Sequence, residues 1–113
     1  MFYTLRQNNS GGSFEQDEMV NIYTIIEAVD AREARDRAKW VGIYFNGCSK
    51  DIDCTCCGDR WSDYFADEGY AEPTIYGEKV ASLTDSVWDG KFGRRGHSVV
   101  VHYLDGTRMY GTE

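Results

Sequence analysis

Long apolar runs are missing from this sequence, and none approaches the roughly 18 residues that a membrane-spanning helix needs. Positive charge is also scarce: 12 Lys and Arg stand against 19 Asp and Glu, which gives a net charge of −7. Nucleic acids and anionic membranes are themselves negative, so we expect neither as the main partner. The N-terminal residues lack the basic and apolar regions of a secretory signal, and we therefore expect the chain to act in a cytoplasm.

Signatures of common catalytic centres are missing as well. The sequence contains neither the G-x-S-x-G of many serine hydrolases nor the H-E-x-x-H of zinc proteases. Acidic side chains are numerous between residues 51 and 89, but a solvated acidic face accounts for them without catalysis. We therefore expect a binding protein rather than an enzyme, and we expect no cofactor.

Aromatic residues, by contrast, are plentiful, with eight Tyr, five Phe and three Trp in 113 residues. Aromatic side chains bury large areas and are scarce in disordered chains. A chain of this length has room for one small core. We expect residues 1–113 to form a single domain.

The hydrophobic pattern predicts an α+β fold: an antiparallel sheet with one main helix packed on it and a C-terminal β-hairpin. Strands are predicted at residues 2–7, 19–29, 97–104 and 107–110, and a short apolar run at 43–45 could add another. The helix is predicted at residues 30–41, because Asp30 can cap its first turn and Gly42 suits its end.

The end of the chain carries a clear hairpin signal, Asp105-Gly106 between two strand-like segments. This pair of residues favours a two-residue type I′ turn, in which both positions take positive φ. A two-residue turn places His102 opposite Met109. Arg108 would then lie on the other face of the hairpin.

Four cysteines lie close together: Cys48, Cys54, Cys56 and Cys57. Four thiolates could hold a tetrahedral zinc ion, and His97 or His102 could replace one of them. The spacing C-x5-C-x-C-C departs from the two C-x2-4-C pairs that structural zinc sites usually have. Small buried cysteines filling a tight loop are the commoner case, and we expect no metal.

The segment Gly58-Asp59-Arg60-Trp61 combines groups that suit a nucleotide. Arg60 offers a planar fork for phosphate, Asp59 can hold that fork or accept from a ligand, and Trp61 offers a ring face to a base. An ion pair beside a core tryptophan would explain the same residues equally well. We nevertheless expect Arg60 to bind ligand, and we expect Arg60→Ala to leave the fold intact.

Two further glycine-containing loops could contact phosphate. The first supplies Arg6, Asn8, Asn9, Ser10, Gly11 and Gly12, and the second supplies Arg94, Arg95 and His97. Backbone N–H groups of a glycine-rich loop can surround an anion, and a basic loop can neutralise one. The first is not a P-loop, because the lysine of that motif is missing. A flexible hairpin loop and a solvated loop are the respective structural alternatives.

Several segments resemble a family of small tailed-phage proteins of unassigned function. They are YTLRQNNSGGSF at residues 3–14, GIYFNG at 42–47 and DCTCCGDRW at 53–61. The resemblance covers roughly residues 2–77. It implies a phage origin and a site of action in the host cytoplasm, but no mechanism.

Small phage proteins of this size include inhibitors of host immunity, and some of these sequester a nucleotide signal without reacting with it. Our first hypothesis is such a homo-oligomeric sponge, which binds a cyclic dinucleotide or an ADP-ribose derivative through the loops described above. Our second is an acidic inhibitor or accessory module that binds a host protein. Its exposed anchors would be Trp61, Tyr64, Phe65 and Tyr70.

Overall fold

The computed structural model describes residues 1–8, 14, 19–45, 47–50, 52–53, 58–61, 69–75, 78–80 and 98–111. The elements, in chain order, are β1 (Phe2–Arg6), β2 (Tyr23–Glu27), α1 (Ala31–Trp40), β3 (Thr74–Ile75), β4 (Glu78–Lys79), β5 (Val99–His102) and β6 (Arg108–Gly111). Over these ranges, no helix has the length and apolar character needed to cross a membrane.

Four of the strands form one sheet in the order β1-β2-β5-β6, and β3 pairs with β4 in a separate small ribbon. The predicted α+β fold, with its helix and its C-terminal hairpin, is confirmed. The sheet is mixed rather than wholly antiparallel, because β2 and β5 run parallel. Parallel neighbours need a long crossover, and here the chain between Glu27 and Val99 includes α1.

Local chemistry fixes both ends of α1, and the helix lies within one residue of its predicted bounds. The Asp30 carboxylate accepts a hydrogen bond from the Glu33 N–H at 2.9 Å, while the Glu33 carboxylate accepts from the Val29 N–H at 3.1 Å. These bonds satisfy backbone donors that a helix start leaves open. Gly42 follows the helix at φ +105°, a conformation that glycine adopts easily.

The two faces of the sheet are covered by different clusters. On the face that packs against α1 lie Leu5, Val20, Ile26, Ala38, Ile43, Phe45 and Trp61. On the opposite face lie Phe2, Tyr23, Ile25, Val80, Val99 and Val101. The run at 43–45 belongs to the first cluster but forms no strand, so it adds core rather than sheet.

The hairpin between β5 and β6 has a three-residue loop instead of the predicted two. The Tyr103 N–H donates to the Thr107 carbonyl at 2.9 Å, and the Gly106 N–H donates to the Tyr103 carbonyl at 3.0 Å. Residues 104–106 form the loop, and Gly106 takes φ +89°.

This loop shifts the pairing by one residue relative to the prediction. His102 lies opposite Arg108 rather than Met109, and Met109 lies opposite Val101. Because a one-residue shift moves side chains to the other face of a strand, Arg108 and His102 share the face that α1 occupies.

Gly106 is the position where the loop geometry is easiest to test. A β-carbon at Gly106 would meet nothing within 4 Å, so only its positive φ opposes a side chain. We expect Gly106→Ala to lower the free energy of unfolding by about 1 kcal/mol, and Gly106→Asn to lower it less, because asparagine enters the left-handed region more readily. Denaturant unfolding of both variants measures the order, and an alanine variant as stable as the parent would contradict the loop.

Candidate functional site

The structure brings two of the predicted motifs side by side. Gln7, directly after β1, forms an isolated β-bridge with Trp61. The Asn8 N–H donates to the Arg60 carbonyl at 2.8 Å, and the Asn8 side-chain amide donates to the Asp59 carbonyl at 3.3 Å. The start of the first loop and the segment 59–61 are therefore neighbours, as a shared site would require.

Arg60 is held within the protein by groups other than Asp59. Its guanidinium donates to the Gln7 side-chain carbonyl at 2.8 Å, and its Nε lies 3.9 Å from the Asp53 carboxylate. The Arg60 N–H also donates to Asp53 at 2.8 Å, and the Tyr44 hydroxyl donates to the same carboxylate at 2.8 Å. The side chains of Arg60 and Asp53 are only 11% and 1% exposed. This geometry gives Arg60 a structural role.

Asp59 has a different partner. Its carboxylate accepts from the Cys48 N–H at 2.9 Å, and this bond holds the pKa of Asp59 below its ordinary value. Cys48 is half-buried, whereas Cys54, Cys56 and Cys57 lie outside the described residues. Within the described part of the chain, no three His, Cys, Asp or Glu side chains are grouped to hold a metal.

Trp61 is 1% exposed and packs in the cluster beneath α1. Its ring face is therefore covered by core residues, and in this structure it is not open to a base or to a partner protein. Of the other predicted protein-binding anchors, Tyr70 is half-buried, and Tyr64 and Phe65 lie outside the described residues.

The remaining predicted ligand-binding residues are described only in part. Arg6 is exposed at the end of β1, and Asn8 is half-buried. Outside the described residues lie Asn9, Ser10, Gly11, Gly12, Arg94, Arg95 and His97. Their contact with a ligand stays a prediction.

A cavity of about 360 Å³ lies between the C-terminal half of α1 and the hairpin of β5 and β6. It is lined by Met19, Ile26, Arg37, Trp40, Val41, His102, Tyr103, Gly106 and Arg108. Its volume falls within the range of small-molecule sites, which is roughly 300–1,000 Å³. Its lining combines cationic, aromatic and apolar groups, the mixture that an anionic ring-containing ligand needs.

Arg37 links the helix to the hairpin at the wall of this cavity. Its Nη2 donates to the Tyr103 carbonyl at 2.8 Å. On the other wall, the Arg108 guanidinium contacts the thioether sulfur of Met19. Over the described ranges, neither arginine has a carboxylate within ion-pair distance. Two cationic side chains without a carboxylate partner among the described residues make this cavity electrostatically favourable for an anion.

Other residues next to the two arginines complete the lining of the cavity. The His102 Nε2 lies 2.6 Å from the Met19 carbonyl oxygen, so this nitrogen carries a proton and donates it. The Tyr103 side chain lies on the opposite face of the sheet, where its ring packs edge-on against Phe2 and its hydroxyl donates to the Met109 sulfur, so Tyr103 contributes its backbone carbonyl to the cavity wall. Trp40 is 88% exposed at the mouth.

Sequence reasoning missed this cavity for an identifiable reason. The two-residue turn placed Arg108 on the face opposite His102, so no cluster could be expected there. One signal was available in the helix: Trp40 lies outside the stripe of small apolar residues that contains Ala34 and Ala38. A large aromatic residue off the buried stripe of a helix is a candidate for binding.

Comparison with known proteins identifies a family whose function is unknown. The model of a family described as "Domain of unknown function (DUF7296)" matches residues 1–113. None of the curated proteins and none of the solved structures matches the chain. The match extends over the C-terminal third, which the resemblance to phage proteins did not cover, so β5 and β6 belong to the shared domain.

The partners of Arg60 allow a test of its structural role. We expect Arg60→Ala to lower the free energy of unfolding by about 1–3 kcal/mol, because the Gln7 carbonyl loses a donor and the buried Asp53 carboxylate loses its neighbouring cation. This reverses the expectation from sequence. Denaturant unfolding measures the loss, and Arg32→Ala, at an exposed position of α1, should stay within about 0.5 kcal/mol of the parent. An Arg60→Ala variant of parental stability would return Arg60 to the candidate ligand-binding residues.

Proposed function

The chain belongs to this family of unknown function, and we propose that it is a non-catalytic binding protein that sequesters a nucleotide-derived signal of its host. The observation that carries the proposal is the cavity between α1 and the hairpin, in which Arg37 and Arg108 lie without a carboxylate partner among the described residues. The signal is a cyclic dinucleotide or an ADP-ribose derivative. Both carry phosphate groups, which arginine binds well.

The lining of the cavity supports binding without chemistry. The described lining residues include no carboxylate, thiol, serine or threonine that could act as a nucleophile or as a carboxylate base. The His102 Nε2 donates to the Met19 carbonyl, and the Arg37 Nη2 donates to the Tyr103 carbonyl. Groups fixed in this way suit a preformed pocket, in which little ordering is needed when the ligand arrives.

The net charge of −7 favours a small anion over a polymeric one. A nucleic acid would bring many phosphates against an acidic surface, and the repulsion would add along its length. A single small phosphate compound meets mainly the two arginines at the cavity wall. The proposal therefore excludes nucleic acid and membrane as partners and retains a nucleotide-derived small molecule.

The proposal includes the phage origin and the host cytoplasm that the sequence resemblance implies, together with the homo-oligomeric state of the sponge hypothesis. The motifs at residues 3–14 and 53–61 support that origin. Sequestration of a host signal is consistent with a protein of this size that has a phosphate-compatible cavity. In this view the protein protects the phage by lowering the free concentration of the signal.

Calorimetry against cyclic dinucleotides and ADP-ribose derivatives tests the function. We expect at least one to bind, and we expect it to be recovered intact after the complex is heated. Arg37→Gln should weaken binding about 10- to 150-fold, since a charged hydrogen bond contributes about 1.5–3 kcal/mol. Arg32→Gln, on the exposed side of the same helix, should leave the affinity unchanged.

Three outcomes would count against this proposal in different ways. If no compound binds, the nucleotide function is wrong. If a ligand returns degraded, the protein is an enzyme. If Arg6→Gln abolishes binding while Arg37→Gln does not, the site lies at the glycine-rich loop predicted from sequence rather than in the cavity.

A further inference from the structure

The volume of the cavity limits what it can enclose. At about 360 Å³, it lies near the lower end of the roughly 300–1,000 Å³ typical of small-molecule sites. That space suits one ring system with one charged group attached to it. A ligand with two bases would have to leave a large part of itself outside.

The inner wall of the cavity offers hydrogen-bond donors for an anion. Arg37 is held from the hairpin side by the Tyr103 carbonyl at 2.8 Å, so its planar guanidinium has a fixed orientation. Arg108 adds a second cation from β6, without a carboxylate partner in the described part of the chain. A phosphate group at this wall would lie next to two cations and could accept hydrogen bonds from their guanidinium groups.

The mouth of the cavity offers a stacking surface. Trp40, at the last position of α1, is 88% exposed and also borders a shallow depression beside Asp36 and Lys39. An exposed indole next to a phosphate-compatible wall is the arrangement that proteins use to stack a nucleobase. The aliphatic groups of Ile26 and Val41 line the space that remains.

From these observations, and resting on the proposed function, we infer that each cavity holds one nucleoside monophosphate unit. Its phosphate lies against Arg37 and Arg108, and its base stacks on Trp40. A mononucleotide occupies one cavity, with its base at the mouth. A cyclic dinucleotide places one half in each of two cavities, and it therefore binds one molecule per two chains.

Calorimetry with the full chain tests this inference. The probes are the four common nucleoside 5′-monophosphates, the corresponding nucleosides, inorganic phosphate and a set of cyclic dinucleotides. We expect at least one monophosphate to bind one molecule per chain. Its nucleoside and inorganic phosphate should each bind at least tenfold more weakly, because each makes only half of the contacts.

Variants at the two ends of the cavity measure the contributions of the base and of the phosphate to the affinity separately. Trp40→Ala should weaken the monophosphate about 5- to 100-fold without changing the affinity for inorganic phosphate, since base stacking is lost. Trp40→Phe should keep most of the affinity. Arg108→Gln should weaken both probes, and Arg32→Gln should weaken neither.

The possible results separate this inference from the proposed function. A cyclic dinucleotide that binds one molecule per chain, while no monophosphate binds, would overturn the single-unit site and leave the sequestering function standing. If Trp40→Ala lowers the affinity for inorganic phosphate and for the monophosphate by the same factor, the stacking role of Trp40 is wrong. If no phosphorylated compound binds, both are wrong.

Discussion

The hydrogen bond from the Tyr103 N–H to the Thr107 carbonyl sets the register of the C-terminal hairpin, and the cavity depends on that register. With a three-residue loop, Arg108 pairs with His102 and faces α1. The same residue, Tyr103, accepts from Arg37 through its carbonyl oxygen and so ties the helix to the hairpin. A shift of one residue would move Arg108 to the other face and leave the cavity with one arginine.

Arg60 and Arg37 illustrate how partners, rather than residue type, separate a structural arginine from a candidate binding one. Arg60 is in a sequence context that suits phosphate, but its guanidinium is almost fully buried, donates to Gln7 and lies beside the Asp53 carboxylate. Arg37 is in an ordinary helical context, yet it lines a cavity and has no carboxylate within ion-pair distance among the described residues. The first guanidinium stabilises the connection between β1 and the segment at 58–61. The guanidinium of Arg37 lies at the wall of a cavity, where it can interact with an anion.

The features that were predicted correctly depend on local chemistry. The Asp30 cap and Gly42 define α1 from adjacent residues, and the strand patterns at residues 2–7 and 19–29 contain β1 and β2. The parallel pairing of β2 with β5 depends on a crossover of some seventy residues, which no local pattern encodes. The hairpin loop was wrong by one residue because Asp-Gly fits both lengths, and here the Asp105 carboxylate accepts from the Thr107 N–H at 2.9 Å. Because the predicted register put Arg108 and His102 on opposite faces of the hairpin, the cavity was not predicted from the sequence.

The net negative charge of the chain and the positive charge of the cavity act on a ligand over different distances. At physiological ionic strength, exposed charges are screened beyond about 8 Å, so the net charge of −7 acts mainly on ligands that touch much of the surface. Inside the cavity, the guanidinium groups of Arg37 and Arg108 are partly removed from water, and their attraction for an anion is less screened. A compound small enough to enter meets this local field alone. An acidic surface around a cationic cavity therefore selects small phosphate compounds over nucleic acids, which are the most abundant phosphate polymers of a cell.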